Sequence, residues 1–230
     1  MKFLKRIFHV PSSTSNSATL LEVGALPIRC EIEARKMKFL HHILELHIDD
    51  PVRQVYIQQE RYTYERNWHN EVKDLLKYYG LTSNETEVKK VSREAWKSKV
   101  MEKVKKKALE ELNEICRGQS KTSMYPKKEE LLHEVYMKEL NSKRTRIMFS
   151  ARTGVLDVKS LRPYKYNDKT CRLCGQEDES VDHVLNGCNS VTCIEVERRK
   201  IDIYSDKIDE IEEAACRIQD FLDKCEELEV

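Results

Sequence analysis

The sequence predicts a mainly α-helical protein: a helical body, a small unit rich in cysteine near the C-terminal end, and a final amphipathic helix. Three observations carry that expectation. Only six glycines and five prolines occur in 230 residues, while charged residues make up 35%. A chain rich in Glu, Lys and Arg and poor in breakers favours helix. Apolar residues recur at spacings of three and four, the helical period, and no segment holds a convincing period of two.

Taken in order, FLKRIF reads as the end of an amphipathic helix, with Phe3, Leu4, Ile7 and Phe8 on one side. PSSTSNS is a loop, and Gly24 interrupts the segment after it. Pro27 suits the first turn of a helix running to about His47. Ile32, Phe39, Ile43 and Leu46, flanked by Leu40 and Leu44, form its apolar face. DDP at 49–51 separates it from a helix ending near Arg61. Asn67 to Tyr79 is the next, closed by Gly80. TSNET is a loop, and Ser92 is placed to cap the longest helix, from about Arg93 to Cys116. Trp96, Val100, Val104, Ala108, Leu112 and Ile115 form its stripe. Shorter helices are expected near Lys127–Leu140 and Lys143–Thr153, the second ended by Gly154. VLDVKSLRPYKYNDKT reads as an extended linker. From Asp206, Ile208, Ile211, Ala215, Ile218, Leu222 and Cys225 mark a tail helix that docks on the body.

Charge is uneven. The whole chain is +1, but residues 205–230 hold ten acids and three bases, so residues 1–204 carry about +8. A basic body with an acidic tail suits a polyanionic partner, and the tail could fold back as an internal competitor. MKFLKRIFHV lacks the apolar core of a signal peptide. No apolar run of 18 residues occurs, so the expected setting is intracellular, nuclear or cytoplasmic, with no membrane partner. There, eight cysteines are expected as thiols or metal ligands rather than disulfides.

The stretch CRLCGQEDESVDHVLNGC sets Cys171-x2-Cys174-x8-His183-x4-Cys188. The first pair has the spacing of a metal-ligand knuckle, and the second pair lies about one helical turn apart, facing the same way. Gly175 and Gly187 permit tight turns beside two ligands. Three thiolates and an imidazole make a closed zinc sphere, which argues for a structural ion. Cys193 in place of Cys188, a redox Cys-x-x-Cys, and unrelated thiols are the alternatives. Cys30, Cys116, Cys216 and Cys225 are too scattered for a second site, and the pair His41 and His42 reads as half-exposed packing. The acidic loop GQEDES turns phosphates away, so phosphate contacts are assigned to the flanks: Lys159, Arg162, Lys165, Lys169 and Arg172.

Further basic groups lie upstream. Nine Lys or Arg fall between Lys89 and Lys107, and Lys97, Lys103, Lys105, Lys106 and Lys107 are the candidates there for tracking a phosphate backbone. Lys143, Arg144, Arg146 and Arg152 form a second group around Ile147–Phe149. A solvated helix face is the plainer alternative for both. VYIQQERYTYERNW, rich in aromatics, fits packing better than base stacking.

LEVGALPIRCEIEARKMKFLHHIL, ARTGVLDVKSL and CRLCGQEDESVDHVLNGC, in that order, resemble the C-terminal region of the reverse-transcriptase polyprotein of non-LTR retrotransposons. The resemblance covers about Thr19 to Cys188. It implies thumb and linker helices over 1–165, a Cys-Cys-His-Cys zinc knuckle over 166–195 with Cys171, Cys174, His183 and Cys188 as ligands, and here an acidic helix over 196–230. The family's paired polymerase aspartates do not carry over, since Asp49 and Asp50 fall between helices before Pro51. The function implied is therefore non-catalytic: a zinc-containing module that binds RNA or DNA with little sequence preference and positions template or target for a reverse-transcriptase core. A zinc-stapled protein-interaction module using the tail helix is the alternative.

Overall fold

The computed structural model of the chain describes residues 1–62, 67–191 and 200–228. It is mainly helical, with 62% helix and no strand among the described residues. Eleven α-helices occur among the described residues: α1 (Lys2–Ile7), α2 (Asn16–Glu22), α3 (Ile28–Glu45), α4 (Pro51–Arg61), α5 (Trp68–Tyr78), α6 (Glu85–Lys90), α7 (Arg93–Gly118), α8 (Tyr136–Glu139), α9 (Ser142–Arg152), α10 (Val181–Asn186) and α11 (Ile208–Leu228). None is long and apolar enough to cross a membrane.

Side-chain caps set many of the starts. Asp50 accepts the Val52 N–H at 2.8 Å, Asn67 that of Asn70 at 2.8 Å, Asn141 that of Arg144 at 3.0 Å, and Ser92 that of Ala95 at 3.3 Å. Each satisfies a donor that the first helical turn leaves without an internal partner. Ser15 and Asn84 do the same for α2 and α6, two helices that sequence reasoning did not assign, each beginning in the last residues of an expected loop.

The chain divides into two compact units, Met1–Ala25 with Leu112–Val230, and Leu26–Glu111. These cut across the sequence segments 1–165, 166–195 and 196–230. In the second unit α3, α4, α5, α6 and the first two-thirds of α7 surround one core. Trp96, Val100, Val104, Ala108 and Leu112 are buried as the stripe predicts, but Ile115 is exposed and Cys116 is buried instead; the Trp96 indole N–H donates to the Met37 carbonyl at 3.0 Å. The α3 face is rotated from expectation. Cys30, Ala34, Met37, Leu40, Ile43 and Leu44 are buried, while Ile32 and Phe39 are exposed. His41 is fully buried, not half-exposed, because its Nε2 bonds the Val91 carbonyl at 2.8 Å.

The core of the first unit joins α9 and α11 to the cysteine-rich segment. Met148, Phe149, Val184, Leu185, Ile211, Ala215, Ile218 and Phe221 belong to it, with Cys171 and Cys188. Phe8 stacks on Phe149 with ring centroids 4.0 Å apart. Two expectations change here. Only Tyr136–Glu139 is helical within 127–140, because backbone groups there bond elsewhere: the Glu134 N–H donates to the Glu22 carbonyl, and Asn113 brackets Lys128. The segment after Gly154 is no extended linker, since Val155, Leu156 and Val158 are core residues and Lys159–Leu161 forms a 3-10 turn.

A buried charge network closes this unit. Arg152 is 1% exposed. Its guanidinium pairs with Glu134 and donates to the carbonyls of Ile203 and Ser205 at 2.8 Å each. Tyr125 donates to Glu22 at 2.6 Å, and Tyr136 donates to its other oxygen. Burial raises the Glu22 pKa, against the opposing pull of Arg152. Removing one partner of such a pair leaves an uncompensated buried charge. Arg152→Ala should therefore cost the unit about 3–5 kcal/mol, whereas exposed Arg146→Ala on the same helix should cost less than about 0.5 kcal/mol. Urea unfolding of the two variants compares them directly.

Candidate metal centre and basic surfaces

The predicted ligands converge. One donor atom from each of Cys171, Cys174, His183 and Cys188 lies within 4.8 Å of the others. Cys171 Sγ is 3.9 Å from Cys188 Sγ, and Cys174 Sγ is 3.3 Å from His183 Nε2. Three of the four residues are buried.

Local backbone explains the convergence. The Cys171 N–H donates to the Glu177 carbonyl at 2.8 Å, and the Gly175 N–H donates to the Cys171 carbonyl at 3.0 Å. Gly175 has φ of +66°, a conformation glycine adopts without steric cost. Together these fold residues 171–177 into a tight knuckle. Ser180 caps α10 by accepting the His183 N–H at 3.0 Å. One turn later the Cys188 N–H returns to the His183 carbonyl at 2.7 Å. At Gly187 a Cβ would lie 2.9 Å from His183 Nδ1, so this close approach also needs glycine.

Glu177 completes the arrangement. Its carboxylate accepts from His183 Nδ1 at 3.0 Å, which leaves Nε2 facing the thiols as a ligand. Sequence reasoning missed this role and assigned Glu177 only to an acidic loop. Burial works against ionising Cys174, but the N–H groups of Gln176 and Glu177, with Cys171 and His183, outweigh it and bring the thiol to about 7. Burial pushes Cys188 up to about 12. A bound cation supplies the charge that lets such buried thiols act together as ligands. The set fits one four-coordinate metal ion.

The other cysteines form no second cluster among the described residues. Cys30 and Cys116 are free and buried, and Cys225 is buried. Cys216 is disulfide-bonded, which corrects the expectation of eight unbridged cysteines. Cys193, the alternative ligand, lies outside the described residues.

The basic candidates separate into three kinds. Arg152 is a core residue and is out of reach of any phosphate. Arg172 is nearly so: it forks onto the fully buried Glu179 at 2.8 Å and donates to the Asp157 carbonyl at 2.7 Å. Lys159 pairs with Asp168 and Lys165 with Asp157, each at 3.0 Å. Arg162 donates to the Val155 carbonyl at 2.5 Å, and Lys169 is exposed. In the second group Lys143 pairs with Asp223 at 3.0 Å and Arg144 reaches Gln219 at 3.4 Å, while Arg146 is exposed. Asp223 and Gln219 lie on α11, so the acidic tail does meet bases of the body. It is not a detachable competitor, because Ile211, Ala214, Ile218, Phe221 and Cys225 bury its apolar side in the core.

The α7 lysines are the third kind. Lys105 and Lys106 are exposed, Lys97, Lys103 and Lys107 partly so. Lys97 lies 3.9 Å from Glu94, and Lys107 stands over the Tyr78 ring. Among the described residues no carboxylate lies within 4.0 Å of Lys103, Lys105 or Lys106. In the aromatic-rich stretch, Tyr56 is buried against Trp68 and Tyr62 is exposed, while residues 63–66 lie outside the described residues.

No protein-family model, curated protein or solved structure matches this chain. Its function therefore has to be argued from the site.

The Glu177 contact predicts that Glu177→Gln lowers metal affinity about 10- to 100-fold, measured by competition with a chromogenic chelator. Because Cys171, Cys188, Val184 and Leu185 share a core with α9 and α11, chelation should also reach beyond the knuckle. Amide exchange should quicken in 142–152 and 208–228 as well as 171–188, and stay slow in α3, whose core is separate. Faster exchange confined to 171–188 would show that the metal supports the knuckle alone.

Proposed function

We propose that this protein is a non-catalytic, zinc-containing module that binds RNA or DNA with little sequence preference. Zinc is the metal the site suits. A tetrahedron with Zn–S bonds of about 2.3 Å has S···S edges of about 3.8 Å; Cys171 Sγ and Cys188 Sγ are 3.9 Å apart, and all four donors lie within 4.8 Å of one another. Four protein ligands leave no open position for substrate or water, so the ion's work is structural.

The observation that carries the binding reading is the face of α7. Its buried stripe fixes the helix, and Lys103, Lys105 and Lys106 stand away from that stripe with no carboxylate within 4.0 Å among the described residues. Most candidate bases elsewhere are matched by carboxylates or carbonyls. A row of unmatched ammonium groups on a rigid helix can replace condensed counterions along a nucleic-acid backbone, a contact that carries no sequence information. The resemblance to retrotransposon polyproteins is consistent with this, and suggests that the partner strand is a template or target for a polymerase elsewhere, inside the cell. Burial of the tail helix's apolar side weighs against the alternative, in which that helix recruits a protein.

If the α7 lysines contact phosphates, replacing Lys103, Lys105 and Lys106 with Gln should lower affinity similarly for unrelated sequences. The slope of log affinity against log salt should flatten by a little under one unit per contact, about 0.7–0.9. Filter binding at several salt concentrations reads both. An unchanged slope with unchanged affinity removes this surface from the interface.

A further inference from the structure

Tyr164 is not accounted for by the metal site or the lysine face. It is 72% exposed, in a stretch from Lys159 to Arg172 that holds five bases and one acid. Its hydroxyl accepts a 2.6 Å hydrogen bond from Arg162 Nη1, so the ring is tethered while remaining open to solvent. The Lys121 ammonium stands 5.9 Å from the ring centroid. An exposed, tethered aromatic ring among cations is the arrangement that stacks nucleobases.

Lys121 also connects the ring to a cavity. Ser120, Lys121, Ser160, Leu161, Ile201 and Tyr204 are among the residues bounding a space of about 820 Å³. That is within the range of pockets that hold small organic ligands, about 300–1,000 Å³. The chain reaches this position because residue 154 is glycine: φ there is +70°, and a Cβ would lie 2.4 Å from the Lys121 carbonyl oxygen. Apolar walls suit the faces of a heterocycle, and serine hydroxyls, which both donate and accept, suit the edge of any base. Asp182 and Asp202 also line the cavity, where they accept from the Asn186 amide and the Tyr204 N–H at 2.9 Å each. Their charge keeps phosphates out, so the cations at the rim and the cavity interior select different parts of a nucleotide.

We propose that Tyr164 and this cavity form a nucleotide site for single-stranded nucleic acid. One base stacks on Tyr164, its neighbour enters the cavity, and Lys121 meets the phosphate between them. The proposal rests on the nucleic-acid reading above and deepens it, because a duplex keeps its bases stacked internally and can engage the lysines alone. The site therefore gives the protein a preference for single strands that the α7 face does not supply.

The test uses the full-length, metal-loaded chain and fluorescence anisotropy. The probes are an unstructured pyrimidine oligonucleotide, an abasic strand of equal length, and a duplex. Tyr164→Ala should weaken binding of the pyrimidine strand roughly 5- to 100-fold and leave the duplex unchanged. Tyr164→Phe, which keeps the π face, should retain binding. Ser160→Phe, which fills the cavity, should weaken the pyrimidine strand with normal metal content. The wild type should bind the abasic strand at least as weakly as Tyr164→Ala binds the pyrimidine strand, because that strand also lacks the base that enters the cavity. Equal losses on single strand and duplex, or equal wild-type affinity for abasic and pyrimidine strands, overturn the nucleotide site and leave the phosphate-binding reading standing. Absence of salt-sensitive binding to any of the three probes overturns both.

Discussion

Arg152 has to find its countercharge without water, and the first unit is arranged around that requirement. The guanidinium lies among α2, the 125–136 loop, α9 and the turn that leads into α11. Glu134 pairs with it, Tyr136 and Tyr204 offer ring faces 5.0 and 5.9 Å away, and two carbonyls before α11 take its remaining donors. Desolvating an ion costs several kcal/mol unless its partners are in place. The network therefore forms only when those segments are correctly placed together. It fixes where the tail helix starts, and so where α11 meets the cysteine-rich segment.

The metal centre inherits its position from that frame. Cys171 and Cys188 lie against the same core that α9 and α11 build, and Arg172, one residue past the first ligand, is locked onto buried Glu179. The knuckle is thus anchored on two sides before its ligands are considered. This differs from a small finger that metal alone folds. Ion and core hold the same residues, so each adds to the stability of the other.

Charge matching then divides the surface by function. Around the knuckle, bases and acids are interleaved closely enough that Lys159, Lys165 and Arg172 have partners within about 3 Å. Such pairs orient loops but leave little unbalanced charge for a partner molecule. Along α7 the spacing of Val100, Val104 and Ala108 sets one side of the helix into the core, and a run of lysines remains on the others. The contrast is the physical ground on which the proposed phosphate contacts are assigned to α7.

By itself the sequence determined the helical class, most helix starts, the α7 stripe as far as Leu112 and the four convergent ligands. These are local properties. A cap residue bonds an amide two or three positions away, an apolar period of three to four defines a face, and Cys-x2-Cys and His-x4-Cys each bring two ligands together within one turn. What only the tertiary structure decided depended on partners distant in sequence. Arg152 looks like any arginine on a basic helix until Glu134 and the carbonyls near 203–205 enclose it. Residues 127–135 lack a helix because the Glu22 carbonyl and Asn113 take their backbone groups. Glu177 became a histidine partner, and Tyr164 an exposed ring beside a cavity, through contacts of the folded chain. Composition records how many charges a chain carries; which of them remain for solvent or a partner is fixed when the chain packs.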